Sequence, residues 1–204
     1  MKDQNKTFKE LKKKDKELIK VLDSTKKCPF FLSPVIKEEV LFYELAQSII
    51  GQQISAKAAN SIWKRVTSFS SNKKDFLIFA SNTNLRWARQ QGLSRRKYEY
   101  IKFIAKSIVT KKLSLESVKD LSDHDAIEFL SSLKGVGPWT AEMFLMFAYK
   151  RRDIFSIGDI ALRRAISEIY DVDKEDQKKI ISIADVWTPH RSIVCWYLWE
   201  YLGV

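Results

Sequence analysis

The chain has 204 residues, 45% of them hydrophobic and 12% aromatic, which is enough apolar material to bury a core and too much for a disordered chain. Its apolar runs, such as Met143 to Tyr149 and Ile193 to Trp199, are too short to span a bilayer, and the lysine-rich N-terminus lacks the apolar stretch of a secretory signal. Thirty-six Lys and Arg against 25 Asp and Glu leave a net charge of +11, which suits a polyanion such as nucleic acid as well as it suits a solvated lysine-rich surface. Residues 1–27 carry +5 of that charge. Two cysteines, Cys28 and Cys195, and two histidines, His124 and His190, are too few and too scattered for a disulfide framework, a zinc site or a four-cysteine iron–sulfur cluster.

Nearly every segment reads with the 3.6-residue period of a helix. Phe8, Leu11, Leu18 and Leu22 form a stripe on a charged first helix. Ser33-Pro34 opens a second, whose buried face is Val40, Leu41, Leu45 and Ile49. Ser55 caps a third, with Ala58, Ala59, Ile62 and Val66 on one side. Helices follow near 73–80 and 83–91. Ser94 opens another with Tyr98, Ile101, Ala105 and Ile108 in register, and Ser122 with Asp125 forms a capping box before Ile127, Leu130 and Leu133. Pro138 to Lys150 is a helix entered through proline, and Asp159 to Tyr170 is another, with Leu162, Ile166 and Ile169 inward. Asp173 and Asp176 open a short helix to Val186, and Thr188-Pro189 leads into a final aromatic-rich one. No hairpin dipeptide lies between alternating strands, so the expected class is all-α. A basic N-terminal helix over 1–30 is expected ahead of a core over 31–204.

One segment departs from ordinary helix punctuation: Leu133-Lys134-Gly135-Val136-Gly137-Pro138-Trp139-Thr140-Ala141. Two glycines flank one aliphatic residue, and a proline-started helix begins at once. Glycine admits torsions closed to other residues and clears side chains from the surface. Backbone N–H groups beside a helix N-terminus can seat a phosphate oxygen, and Lys134 adds positive charge. Taken alone, the turn fits a plain helix–turn–helix corner equally well. Asp159, twenty residues after Trp139, stands at the start of a helix, where taken alone it is an N-cap.

Together these blocks resemble the helix-hairpin-helix DNA glycosylase superfamily, in which a glycine-rich hairpin precedes a catalytic Asp. The chain is most similar to the alkylpurine (3-methyladenine) branch. Ile49-Ile50-Gly51-Gln52-Gln53-Ile54-Ser55-Ala56-Lys57-Ala58-Ala59 matches that branch's Gln-Gln-Ile/Val-Ser segment. Leu133 to Ala141 matches the hairpin, Phe155 to Arg164 the Asp loop, and Thr188-Pro189-His190-Arg191-Ser192 with Trp199 the ending. The resemblance runs from about Pro34 to Trp199. It departs at Lys134, where many members have Pro, and at Trp139, where bifunctional members carry a lysine.

The resemblance implies a two-lobed helical fold with a cleft between the lobes and the hairpin at 133–138. It also implies a monofunctional DNA N-glycosylase of base excision repair, which flips an alkylated purine out of duplex DNA and hydrolyses its N-glycosidic bond. Asp159 is then the catalytic carboxylate. Trp139 and Trp199 wall the base pocket, with Met143 one turn beyond Trp139. Gln53 plugs the gap left in the duplex. Lys134, Gly135, Val136 and Gly137 hold backbone phosphate. No cofactor is required, although the carbonyls of Ser131, Leu133 and Val136 match those that hold a structural Na+ or K+ in the family. The implied partner is double-stranded DNA with alkylated bases, met by a cytoplasmic, nucleoid-associated monomer. The Lys run at 12–14 reads as a solvated helix face that can add non-specific phosphate contacts, so deleting residues 1–27 is expected to weaken affinity modestly and to leave the chemical step alone. Two other readings fit part of the pattern: a non-catalytic helix-hairpin-helix DNA-binding module, and a glycosylase for an oxidised purine, against which Trp139 in place of lysine argues.

Overall fold

The computed structural model describes residues 2–22 and 25–203. Among these residues the chain forms eleven α-helices and no strand. In chain order they are α1 (Lys2–Lys14), α2 (Glu38–Gly51), α3 (Ala56–Thr67), α4 (Lys73–Asn82), α5 (Leu85–Gln90) and α6 (Arg95–Val109). Then follow α7 (Asp123–Ser131), α8 (Pro138–Phe147), α9 (Ile160–Tyr170), α10 (Gln177–Asp185) and α11 (Arg191–Leu202). They divide into two compact units: residues 1–34 with 145–204, and residues 35–144. Helix α8 begins in the second and ends in the first.

In the unit 35–144, local chemistry sets most helix starts. Side-chain oxygens of Ser55, Asn72, Asn84, Ser94 and Ser122 each accept a first-turn N–H. Helix α2 does not start at Ser33-Pro34 as its proline suggests, but at Glu38. Its cap comes from far along the chain. Glu116 Oε1 accepts the Glu38 N–H at 2.9 Å, and the Glu38 carboxylate accepts the N–H groups of Leu115 and Glu116 at 2.9 and 3.2 Å. The start of α2 and that of a short 3₁₀ helix at Glu116–Asp120 thus satisfy each other's orphan donors across 78 residues of sequence, which no local pattern reports. Helix α4 packs on α2 and α6, and α2 also meets α3. Phe42, Tyr43, Trp63 and Phe76 fill that junction with ring centroids 4.6–5.6 Å apart, mostly edge to face.

The other unit is built on α11, which buries Ser192 to Cys195, Tyr197 and Leu198 and lies against α9. Helix α8 stops at Phe147 and not at Lys150: Lys150 takes a left-handed φ of 57°, and the Arg151 N–H closes back on the Leu145 carbonyl at 3.1 Å. Glycine usually stands at such a stop, so the lysine there gives no warning in the sequence.

Phe8, Leu11, Leu18 and Leu22 are all buried, but only Phe8 and Leu11 lie on α1; Leu18 sits in a 3₁₀ turn at Glu17–Lys20 and Leu22 lies beyond it. The setting of the stripe also differs from expectation. The α-helix covers only Lys2–Lys14 of the basic segment 1–30, and that segment belongs with the C-terminal helices in one unit. Phe8 meets Tyr197 edge-on at 5.1 Å. Gln4 Nε2 donates to Tyr197 Oη and to the Lys26 carbonyl, both at 2.9 Å. Asp15 accepts the Tyr170 hydroxyl at 2.5 Å and the Trp187 indole N–H at 2.8 Å. Burial, then the adjoining Asp15 carboxylate, pushes the Tyr170 phenol well above its ordinary range.

The N-terminal segment therefore holds up α11 and is not an appendage. Phe8→Ala is expected to remove about 3 kcal/mol of stability and to lower the thermal midpoint by roughly 6–12 °C in a chain of this size. Thermal unfolding checks it, and an unchanged midpoint would return α1 to the periphery. By the same argument, deleting residues 1–27 is expected to cost stability as well as positive charge.

Candidate nucleic-acid interface and active site

The glycine turn follows α7 directly. The Val136 N–H closes on the Leu133 carbonyl at 3.0 Å, and both side chains are buried while Lys134 is exposed. The two glycines do different work. Gly135 has φ +90°, and a Cβ there would lie 2.2 Å from the Tyr100 ring, so both conformation and space demand glycine. Gly137 needs no unusual φ, and a Cβ on it would meet nothing within 4 Å. The expectation of special torsions at both glycines thus holds only for Gly135. Gly137 accepts the Ala141 N–H through its carbonyl at 2.9 Å, and so caps α8 without a side-chain oxygen. That leaves room at a helix N-terminus for an external acceptor such as a phosphate oxygen.

The Gln52-Gln53 corner between α2 and α3 faces the same turn. Gln52, Gln53, Arg96, Lys97, Tyr100 and Gly135 to Gly137 line one cavity of about 310 Å³. Gln53 is exposed, with φ 59°. A left-handed backbone on a residue with a Cβ costs about 1–2 kcal/mol and persists only where neighbours hold it. Gln52 is one such neighbour: its Nε2 donates to the Gly135 carbonyl at 2.9 Å and to Thr140 Oγ1 at 3.2 Å. Lys97 Nζ donates to the carbonyls of Ile50 at 2.8 Å and Gln52 at 2.6 Å, and burial pulls its pKa below the ordinary lysine value. Sequence reasoning selected Gln53 and missed Gln52, Lys97 and Tyr100. A signal was available: Arg95-Arg96-Lys97 place three cations and no acid in the first turn of α6, against its dipole.

Ser131, Leu133 and Val136 bring neutral carbonyl oxygens to the end of α7 and the turn. The last carbonyls of a helix lack in-helix partners, and the Leu133 oxygen keeps a second lone pair beside its bond to Val136. Ser131 Oγ is itself buried without a hydrogen-bond partner. Hard oxygen donors with no carboxylate among them fit an alkali ion of single charge.

Asp159 lies in the other unit, half-buried at the N-cap of α9. Its Oδ1 accepts the Leu162 N–H at 3.0 Å, and the Trp199 indole N–H reaches the same oxygen at 3.4 Å. The preceding loop is fastened to the start of α11. Arg191 grips Asp153 through two nitrogens at 3.0 Å each, the Ile154 N–H donates to Ser192 Oγ at 2.9 Å, and the Ser192 N–H donates to the Arg152 carbonyl at 3.0 Å. The Thr188 to Ser192 block thus anchors the carboxylate's loop. Trp199, expected as a wall of the base pocket, is half-buried, stacks on Phe147 at 5.9 Å and points its N–H at Asp159. Trp139 is 46% exposed in the first turn of α8, with half-buried Met143 one turn along the same face. Cys195 is fully buried, and burial pushes its thiol well up, so it is a core residue.

Comparison with known proteins gives concordant results. A family model described as HhH-GPD superfamily base excision DNA repair protein matches residues 46–190. DNA-3-methyladenine glycosylase 1 of Schizosaccharomyces pombe is 30% identical over 166 residues, covering 78% of this chain and 71% of that protein. The crystal structure of a DNA-3-methyladenine glycosidase from Bacillus halodurans superposes with a TM-score of 0.81 at 29% identity, over 97% of this chain and 89% of the other. The Schizosaccharomyces pombe 3-methyladenine DNA glycosylase in complex with abasic DNA superposes with a TM-score of 0.73 at 28% identity, over 94% and 92%.

The two glycines separate fold from binding. Gly135→Ala is expected to destabilise the protein by about 1–3 kcal/mol through its φ and the Tyr100 collision. Gly137→Ala is expected to unfold like the parent and to bind duplex DNA more weakly, because its methyl group enters the open space at the head of α8. Paired thermal unfolding and DNA titration check both, and equal stability of the two variants would refute the division.

Proposed function

The chain belongs to the HhH-GPD superfamily of base excision DNA repair proteins, and we propose that within it the protein is a monofunctional DNA N-glycosylase removing alkylated purines of the 3-methyladenine and 7-methylguanine type. The observation that carries this reading is the Asp159 carboxylate, held at a helix N-terminus by the Leu162 N–H and the Trp199 indole in a chain that also bears the glycine hairpin. On this reading the partner is duplex DNA with alkylated bases. The protein works as a monomer in the cytoplasm, at the nucleoid.

A base inside a duplex is out of reach, so the damaged nucleotide is turned out of the stack and Gln53 fills the gap. The hairpin N–H groups and the head of α8 hold backbone phosphate, with Lys134 adding charge. An alkali ion at the carbonyls of Ser131, Leu133 and Val136 would brace the turn from behind. An alkylated purine carries positive charge, which an electron-rich indole face attracts, and Trp139, with Met143 one turn along, and Trp199 are each the kind of side chain that serves it. That charge also makes the base a good leaving group. The carboxylate therefore serves mainly to stabilise the positive charge that develops at the sugar's C1′. As the bond from C1′ to the base nitrogen breaks, its electron pair leaves with the base. Water then bonds to C1′ and gives its proton to Asp159.

Asp159→Asn tests the assignment cleanly, because asparagine caps helices about as well as aspartate and so preserves α9. Release of 7-methylguanine from a duplex is expected to fall at least about a hundredfold, with DNA affinity nearly unchanged. Normal release would remove Asp159 from the chemistry. The reaction is also expected to stop at the abasic site, since no lysine stands where Trp139 does to form a Schiff base. The product is then free base plus an intact, alkali-labile strand, and a covalent adduct trapped by borohydride would overturn the monofunctional reading.

A further inference from the structure

We propose that Lys97 is a positioning residue for the Gln53 plug, aiming it by gripping the carbonyl oxygens of Ile50 and Gln52. The proposal rests on reading Gln53 as the residue that fills the flipped nucleotide's place. Its geometry is confined to the unit 35–144.

The peptide group joining Gln52 to Gln53 is held at its oxygen. The Gln52 carbonyl takes the Lys97 ammonium at 2.6 Å, and the Ile50 carbonyl, two residues back, takes it at 2.8 Å. Rotation of that peptide is the motion that would release Gln53 from its left-handed φ of 59°. The Gln52 side chain supplies a second tether, to the Gly135 carbonyl and Thr140. With both tethers in place, the plug and the phosphate-binding turn keep a constant spacing.

Lys97 is badly placed for its own helix. It stands in the first turn of α6, where the dipole disfavours a cation and where no acidic residue compensates. The last carbonyls of α2 provide the opposite dipole end and lack in-helix partners. A lysine kept for phosphate would hold its donors toward solvent. Lys97 commits two of its three to backbone oxygens.

The test is single-turnover excision of 7-methylguanine from a duplex and from the same strand alone, where no stacked gap needs filling. Gln53→Ala and Lys97→Met are each expected to slow duplex excision about tenfold, within the range that a misplaced group can cost, and to leave the single strand near the parent rate. The double variant is expected to be no slower than either single one, because both remove one function. Lys97→Arg, which keeps charge and donors, restores most of the duplex rate. Lys97→Gln, neutral but still a donor, gives an intermediate loss and carries the same comparison if Lys97→Met does not fold. Normal duplex excision by Lys97→Met beside a slow Gln53→Ala overturns the proposal, as does a double variant slower than both. Equal loss on duplex and single strand, with weaker DNA binding and a salt slope lower by about one, makes Lys97 a phosphate contact and also overturns it. A normal Gln53→Ala on duplex instead removes the plug reading itself, and the positioning role with it.

Discussion

The fastening of the 152–154 loop to the start of α11 governs where Asp159 stands. Arg191 and Asp153 form a two-point pair at the loop's outer end, with side chains only 28% and 23% exposed. Ser192, fully buried, gives and takes hydrogen bonds with Ile154 and Arg152. An exposed pair such as Arg164–Glu168 counts for little in water. The Arg191 pair is two-pronged, shielded and joined to backbone bonds, so it sets geometry as well as adding energy. One turn of α9 then orients the carboxylate, and Trp199 from the far end of α11 meets the same oxygen.

That arrangement explains why a lysine-rich N-terminal segment belongs to the body of the protein. Helix α11 carries both anchors of the Asp159 loop, and Tyr197 on it is covered by Phe8 and bound by Gln4. Asp15 ties the same segment to Tyr170 at the end of α9 and to Trp187 just before α11. The positive charge of α1 lies on a helix whose opposite face is core, so electrostatics and packing share thirteen residues.

The unit 35–144 solves a different problem, which is to present main-chain groups without side chains in the way. Gly135 lies against Tyr100 so closely that only glycine fits, while Gly137 leaves open space at the head of α8. Gln52 and Lys97 convert the neighbouring corner into a fixed part of the same surface. Neighbouring bonds thereby sustain a strained Gln53 backbone, and strain so supported is common where a chain must hold one side chain ready.

Periodicity and capping chemistry were enough to read the helices, because apolar spacing and an N-cap oxygen act within a few residues. Ser55, Ser94, Ser122, Asp159 and Asp176 all cap where the sequence places them. The glycine hairpin, the Asp159 loop and the Gln-Gln segment pointed to a DNA glycosylase only through their joint resemblance to that family, since each taken alone also has a plain structural reading. Other features depend on partners far away in the chain. The start of α2 waits on Glu116, the end of α8 on a left-handed Lys150, and the role of residues 1–27 on Tyr197, Tyr170 and Trp187. Gln52 and Lys97 share one corner only because α2 and α6 pack together. Local sequence determined which elements form and which motif carries the chemistry. Tertiary packing alone decided what holds Asp159 and Gln53 in place, because donors and acceptors that meet across roughly 40 or more residues leave no periodic trace in the chain.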